Sequence, residues 1–377
     1  MKLKLLYSIG SIFLASCQFG FSYDKVGDTV TPSESPITPQ DTEKLVFAET
    51  LKDVEEDTTQ AGRWIDGQWR GIAKVEGQDS SQALGEFQVG QTHFVLGQRD
   101  ILKPGQEPIQ RGVWKNNDWI ELKIPTNSAF VKMNYDFAVS DSGQIQVAGI
   151  LRVNGAGKQN ELVAGSWIDG EWKALAEVAG VKRPLDVGPV VFSSGSLWVY
   201  GSFLNNDDSN SIGFWGPQGW TLIATLPQGQ KIELPALLST QALPLVLGLR
   251  KNEKTGQIVL IEGAAPMRGV EAPADYNFLG PLFLNRNSAN SQLLFAANFS
   301  KDGKVRGAYK ELSGDWKFLE ETSPEKQNRI SKVKLFKDKF YFYGFRELAD
   351  SKIEAGVWVD SVFKAYTLPE NTENQGL

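Results

Sequence analysis

One phrase recurs along this chain: a glycine, an aromatic residue two positions later, a tight polar turn and a second aromatic. It reads Gly62-Arg-Trp64-Ile-Asp-Gly-Gln-Trp69, Gly112-Val-Trp114-Lys-Asn-Asn-Asp-Trp119, Gly165-Ser-Trp167-Ile-Asp-Gly-Glu-Trp172 and Gly213-Phe-Trp215-Gly-Pro-Gln-Gly-Trp220. It continues as Gly307-Ala-Tyr309 with Trp316 and Gly356-Val-Trp358 with Phe363. The leading glycines step by 50, 53, 48, 94 and 49 residues. The long step is about two periods, so one degenerate copy is expected near residue 260. A repeat of roughly 40–50 residues signals a circular or stacked array of small β-units, not a set of unrelated domains.

A second series supplies the missing copy. Short apolar runs with a small residue precede each phrase: Leu45–Ala48, Phe94–Gly97, Val147–Gly149, Trp198–Gly201, Leu245–Gly248, Leu294–Ala297 and Phe340–Gly344. After Gly248, the stretch 257–262 takes the place of the phrase, with Ile261 where the aromatic should stand. Six units carry a further apolar segment ahead of the run: Phe87–Val89, Phe137–Val139, Val190–Phe192, Ala236–Leu238, Leu282–Leu284 and Val333–Leu335. Turn signals such as Asp66-Gly67, Asp169-Gly170 and Gly314-Asp315 separate the segments. Each unit is therefore four short strands. The fold class is all-β, a β-propeller of about seven four-stranded blades with a period of about 49 residues, six blades being the alternative count. Unit one lacks a clear first strand, which leaves three strands or a blade completed by Asp28-Thr29-Val30.

The repeat resembles the kelch family, whose blades carry a glycine pair at the end of the second strand, an aromatic in the third and a Trp in the fourth followed by Leu and Pro. The stretch Phe94-Val-Leu-Gly97, Gly112-Val-Trp114, Trp119, Leu122 and Pro125 fits that outline, as do Trp220, Leu222 and Pro227. The likeness covers about residues 44–369. Most copies carry one glycine where kelch carries two.

The N-terminus sets the address. Lys2 and Lys4 precede an apolar stretch from Leu5 to Leu14, too short to span a bilayer and shaped like a secretory signal. It ends Leu14-Ala15-Ser16-Cys17, which resembles the bacterial lipobox, and Cys17 is the only cysteine. The resemblance implies a lipoprotein: cleavage before Cys17, lipidation including palmitate at Cys17, and, with Gln18 next, the outer membrane. The alternative is an ordinary cleaved signal with an incidental cysteine. From Gln18 to Glu43 the chain is polar and Pro-spaced, a tether without hydrophobic period. The expected organisation is a signal peptide over 1–16, lipidated Cys and tether over 17–43, propeller over 44–369 and a disordered tail over 370–377.

Of the 11 Trp, ten belong to the phrase and are expected to fill the wedges between sheets. Trp198 is expected in the core as well. Function should sit on the connections. Those between second and third strands differ in length and sequence, at 100–110, 153–163, 204–211, 251–256, 300–305 and 347–354, and point to one face as the specific one. Arg99, Arg152, Arg250 and Arg346 stand at the roots of four of them, candidate ligand-face residues for a carboxylate or phosphate. Local pairing with acidic neighbours such as Asp100 or Glu347 is their alternative role.

Catalytic chemistry has few parts to draw on. His93 is the only histidine, so a Ser/His/Asp triad has one candidate base and a zinc site almost no ligands. No catalytic residues are assigned. Residues 205–210 cluster oxygen ligands that Ca²⁺ accepts, with Asp207 and Asp208 the metal candidates, and no other cofactor is implied. Ser140-Asp-Ser-Gly143 is only a fragment of a sialidase box, and Gly155-Ala-Gly157-Lys158 lies between strands, so it is not a phosphate cradle. A net charge of −6 argues against nucleic acid. The expected function is a lipid-anchored, monomeric, non-catalytic binding propeller of the cell envelope that meets a protein or glycan partner. The alternatives are a sialidase-like or kelch-type sugar-processing enzyme and an outer-membrane assembly scaffold.

Overall fold

The computed structural model describes residues 44–74, 78–101, 109–155, 158–193, 195–238, 244–251, 256–262, 267–286, 292–319, 327–348, 352–370 and 372–374. The expected signal peptide, Cys17 and the tether lie outside these residues. The described residues form seven antiparallel sheets, six of them built from strands consecutive in sequence. Blade two shows the plan, with strands Gln78–Val89, Thr92–Ile101, Ile109–Lys115 and Asp118–Glu121 paired in that order. First strands of successive blades contact one another, which makes them the inner strands of the ring.

The ring closes with seven blades. Seven separate apolar clusters hold the described core, and each spans two consecutive blades. One joins the last blade to the first, through Tyr343 and Phe345 against Phe47 and Trp64. Six blades would leave one cluster without a second sheet. The degenerate copy is blade five, where Ile261 is fully buried opposite Val246, in the register that pairs Trp114 with Val95 in blade two.

The phrase is explained by shape. First aromatics Trp64, Trp114, Trp167 and Trp358 are almost fully buried, and their ring centroids lie 4.5–5.2 Å from those of Trp69, Trp119, Trp172 and Phe363. The glycine is what the second ring rests on. A Cβ on Gly213 would stand 2.7 Å from Trp220, one on Gly356 2.5 Å from Phe363, and one on Gly112 2.5 Å from the backbone oxygen of Ile120. The small residue of the second strand clears room for the first ring, and a Cβ on Gly149 would stand 2.8 Å from Trp167. Burying one such aromatic contributes roughly 1.5–3 kcal/mol.

The turns are tied to the blade they close. Asp66, Asn116 and Asp169 adopt φ of 51°, 55° and 49°, the left-handed region that primed hairpin turns require. Asp66 and Asp169 each precede a glycine with positive φ. Their side-chain oxygens accept the backbone N–H of Leu45 at 3.2 Å, His93 at 3.1 Å and Ile145 at 2.8 Å, where the second strand begins. Asp169→Ala should therefore cost about 1–2 kcal/mol in a denaturant melt through the lost bond and the strained φ, and Asp169→Asn less than half of that.

Two sequence expectations are corrected. The connection at 153–163 is mostly strand, since Ile145–Gly155 and Lys158–Ile168 pair continuously from Gln146 to Val153 and again at Gly155 opposite Lys158. The 300–305 connection reduces to a turn at Asp302-Gly303 in the same way. Residues 102–108, 252–255 and 349–351 of the other connections lie outside the described residues. The tail expected to be disordered over 370–377 contributes a strand, Thr372–Asn374, which pairs with Asp53, Lys52 and Leu51 as the inner strand of blade one. The segment 28–30 weighed for that place lies outside the described residues.

That inner strand covers only part of the edge. From Val46 to Thr50 the second strand of blade one has no described ladder partner on its inner side, and side chains of the flanking blades meet its backbone instead. Glu86 accepts the Ala48 N–H, Lys332 donates to the Ala48 carbonyl and Lys334 to that of Val46. Lys334 pairs with Glu86 at 2.9 Å, and Thr50 Oγ1 accepts the N–H of Ala83 at 2.9 Å. Blades two and seven thus lock blade one with charges where the other blades use a full strand.

Candidate functional site

Strands that alternate in direction put the first-to-second and third-to-fourth turns on one face of the ring. The second-to-third connections and the blade-to-blade links lie on the other. Among the described residues, clefts open on this second face between consecutive blades, three of which are well formed. One of about 370 Å³ lies between blades two and three, with Arg111 and Glu121 facing Phe130. One of about 300 Å³ lies between blades six and seven, with Arg329 and Arg346. The largest, about 1000 Å³, lies between blades three and four. Its lining is mixed, with Leu162, Leu175 and Val178 beside Arg152, Glu161, Glu177, Lys182 and Arg183. The Trp215 indole closes its base and donates to the Ala176 carbonyl at 2.9 Å, which fixes the wall.

The four arginines singled out by sequence do not assemble into one cluster. Arg99 donates twice to Gln110 Oε1, at 3.1 and 2.9 Å, and lies 4.5 Å over the Trp119 ring. Arg346 bonds Glu354 at 2.9 and 2.8 Å and lies 4.2 Å over the Phe363 ring. Arg250, whose blade lacks the second aromatic, turns to Gln230 at 2.9 and 2.7 Å. Arg99 and Arg346 stand two residues past the second-strand glycine, a register held by Phe203 in blade four and by Leu151 in blade three. Phe203 sits 5.1 Å edge-on to Trp220, and Leu151 is fully buried. These positions are lids over the fourth-strand aromatic. Arg152 stands three residues past its glycine, on the opposite face of the sheet, and enters the large cleft.

Sequence reading missed Arg183. It sits beside Lys182 at the start of the first strand of blade four, ahead of the apolar segment that marked that strand. The Lys-Arg pair before Pro184 was its only signal.

Asp207 and Asp208, the metal candidates, do not converge. Asp207 accepts the Ser209 N–H at 3.0 Å and hydroxyl at 2.6 Å, bonds that pull its carboxyl below the usual range, while Asp208 is held by Lys182 at 2.5 Å. Among the described residues, no group of three His, Cys, Asp or Glu is placed to hold a metal ion. Asp136, exposed in the irregular inner segment of blade three, has its carboxyl raised by desolvation from the chain packed around it.

His93 is half-buried at the junction of blades one, two and seven. Burial first, then the charges of Arg63 and Lys334, push its imidazole down to about 4. The folded protein thus prefers His93 neutral, a contribution to stability present above the unfolded value of 6.5 and lost as pH falls from there through 4. His93→Gln should lose less stability than the parent chain over that window, by under about 1 kcal/mol given solvent screening, in melts at pH 7 and pH 4.

Similarity supports the fold. No protein-family model matches the chain, and no curated protein does. Solved propellers do. The β-propeller domain of the trilobed protease from Pyrococcus furiosus superposes with a TM-score of 0.51 at 10% identity, covering 87% of this chain and 95% of that one. A puromycin-hydrolysing peptidase of Mycobacterium tuberculosis gives 0.54 at 13% identity over 87% of this chain and 53% of that one, so the chain spans about half the peptidase's length. A fucose-bound Aleuria aurantia lectin gives 0.40 at 13% identity. At such identities the first two likenesses establish the β-propeller fold alone.

Proposed function

We propose that this chain is a non-catalytic binding propeller of the bacterial envelope, anchored through lipid on Cys17, whose link-bearing face receives its partner in the clefts between blades. The observation that carries this reading is the cleft between blades three and four, about 1000 Å³ in volume, lined by both aliphatic and charged side chains. Concave, mostly apolar sites with a few placed polar groups are the usual form of a ligand pocket. Lipid anchoring is supported by residues 14–17 and the polar stretch to residue 43. The kelch-like reading is supported by Gly97, Gly149 and Gly201, each lying under the third-strand indole of its own blade.

The test is to fill the cleft. Ala174, exposed on its wall, becomes Trp, and Asp141, in a turn of the opposite face, becomes Trp as the control. Binding of each full-length chain to solubilised envelope is then measured. Ala174→Trp should weaken binding at least tenfold and Asp141→Trp should not. Equal binding by all three chains, or loss with Asp141→Trp alone, overturns the reading.

A further inference from the structure

We infer that the cleft between blades three and four takes an apolar carboxylate, a compact acid whose anionic group lies on Arg152 and Arg183 and whose hydrocarbon body rests on the cleft wall. The inference rests on the reading of this cleft as the binding site and names its ligand class. Two features of the cleft carry it.

The first is the pairing state of its charges. Lys182 is held by Asp208 at 2.5 Å, and Glu161 and Glu177 each have a partner of their own. Arg152 and Arg183 make no hydrogen bond or ion pair among the described residues, although both line the cleft and both are exposed. On the same face Arg99, Arg250 and Arg346 are each bonded to a neighbour. A guanidinium offers a planar fork of donors that fits a carboxylate bidentately. The two are carried on different blades, Arg152 on the second strand of blade three and Arg183 on the first strand of blade four, so an anion held by both would also bridge the blades.

The second feature is the wall. Leu162, Leu175, Val178 and Val181 line the cleft together with its charged side chains. A sugar acid would lay hydroxyls against these aliphatic side chains, at about 1–3 kcal/mol for each one that loses water without gaining a partner. A branched hydrocarbon fits them without that loss. Both features together select an acid with an apolar body over a polar anion.

Titration calorimetry of the full chain with N-acetyl-leucine, N-acetyl-leucinamide and glucuronate tests this. The acid should bind at least ten times more tightly than the amide, which lacks the charge, and than glucuronate, which lacks the apolar body. Arg152→Ala with Arg183→Ala should weaken the acid at least tenfold and leave the amide unchanged. Near-ultraviolet circular dichroism confirms the fold of the double variant, and the single Arg152→Gln and Arg183→Gln chains replace it if it does not fold. Equal binding of acid and amide, tighter binding of glucuronate, no binding of any probe, or a double variant that binds the acid as the parent does would overturn the inference. If the acids fail while Ala174→Trp still abolishes envelope binding, the ligand class falls and the site stands. If both fail, the cleft is not the site.

Discussion

Glu86→Ala is expected to destabilise the folded ring by about 3 kcal/mol, a large effect for one residue on the inner strand of blade two. Its side chain is 10% exposed, and it serves two partners at once, the N–H of Ala48 and the ammonium of Lys334 at 2.9 Å. Removing it leaves a partly buried cation and an edge N–H unsatisfied, the situation in which breaking an ion pair is costly. Glu86→Gln keeps an acceptor for Ala48 and should cost about half as much. Glu86→Ala combined with Lys334→Met removes the stranded charge and should recover at least 1 kcal/mol over the single variant. Urea melts of the four chains decide it. If Glu86→Ala costs under about 0.5 kcal/mol, the range of ordinary surface substitutions, the latch does not hold blade one.

Gly97→Ala should cost about 3 kcal/mol. The added Cβ would collide with the Gln82 carbonyl of the inner strand on one side and with the Trp114 ring on the other. Neither neighbour can give way cheaply, since one is backbone and the other is 2% exposed. Gly314→Ala is the control, because its Cβ would meet nothing closer than 3.8 Å, and it should change stability by under about 0.5 kcal/mol. Equal effects of the two substitutions would mean that the glycines of the phrase are turn-formers and do not make room for indoles.

Much of this molecule is readable along the chain because its physics is local. The Gly-x-Trp spacing records a ring lying over a bare backbone, and Asp66-Gly67 and Asp169-Gly170 record the φ that a two-residue hairpin needs. Ile261 is readable as a lost aromatic because its neighbours keep the period. The closure of the ring is not local. Thr372-Glu373-Asn374 has no apolar alternation, and it is a strand because the backbone edge of Leu51–Asp53 is offered to it. The charge latch was equally hidden, since Glu86 and Lys334 lie far apart in sequence and meet only when the ring closes.

The site shows the same division. Arg99, Arg152, Arg250 and Arg346 look like one series when counted from their glycines to within a residue. Yet the side-chain period of a strand is two, so the single extra residue before Arg152 sends it to the other face of its sheet. Three of the four cover or flank their own blade, and the fourth enters a cleft with Arg183, a residue from the next repeat.

The most direct measurement is photocrosslinking from defined points on the two faces in intact cells. A benzophenone amino acid is placed at Ala174 or Lys182, on the large cleft, and at Asp141 or Asp338, in turns of the opposite face. The account predicts one adduct of defined mass from the two cleft positions and none from the other two. Adducts from Asp141 or Asp338 with none from the cleft would show that the partner meets the other face of the ring.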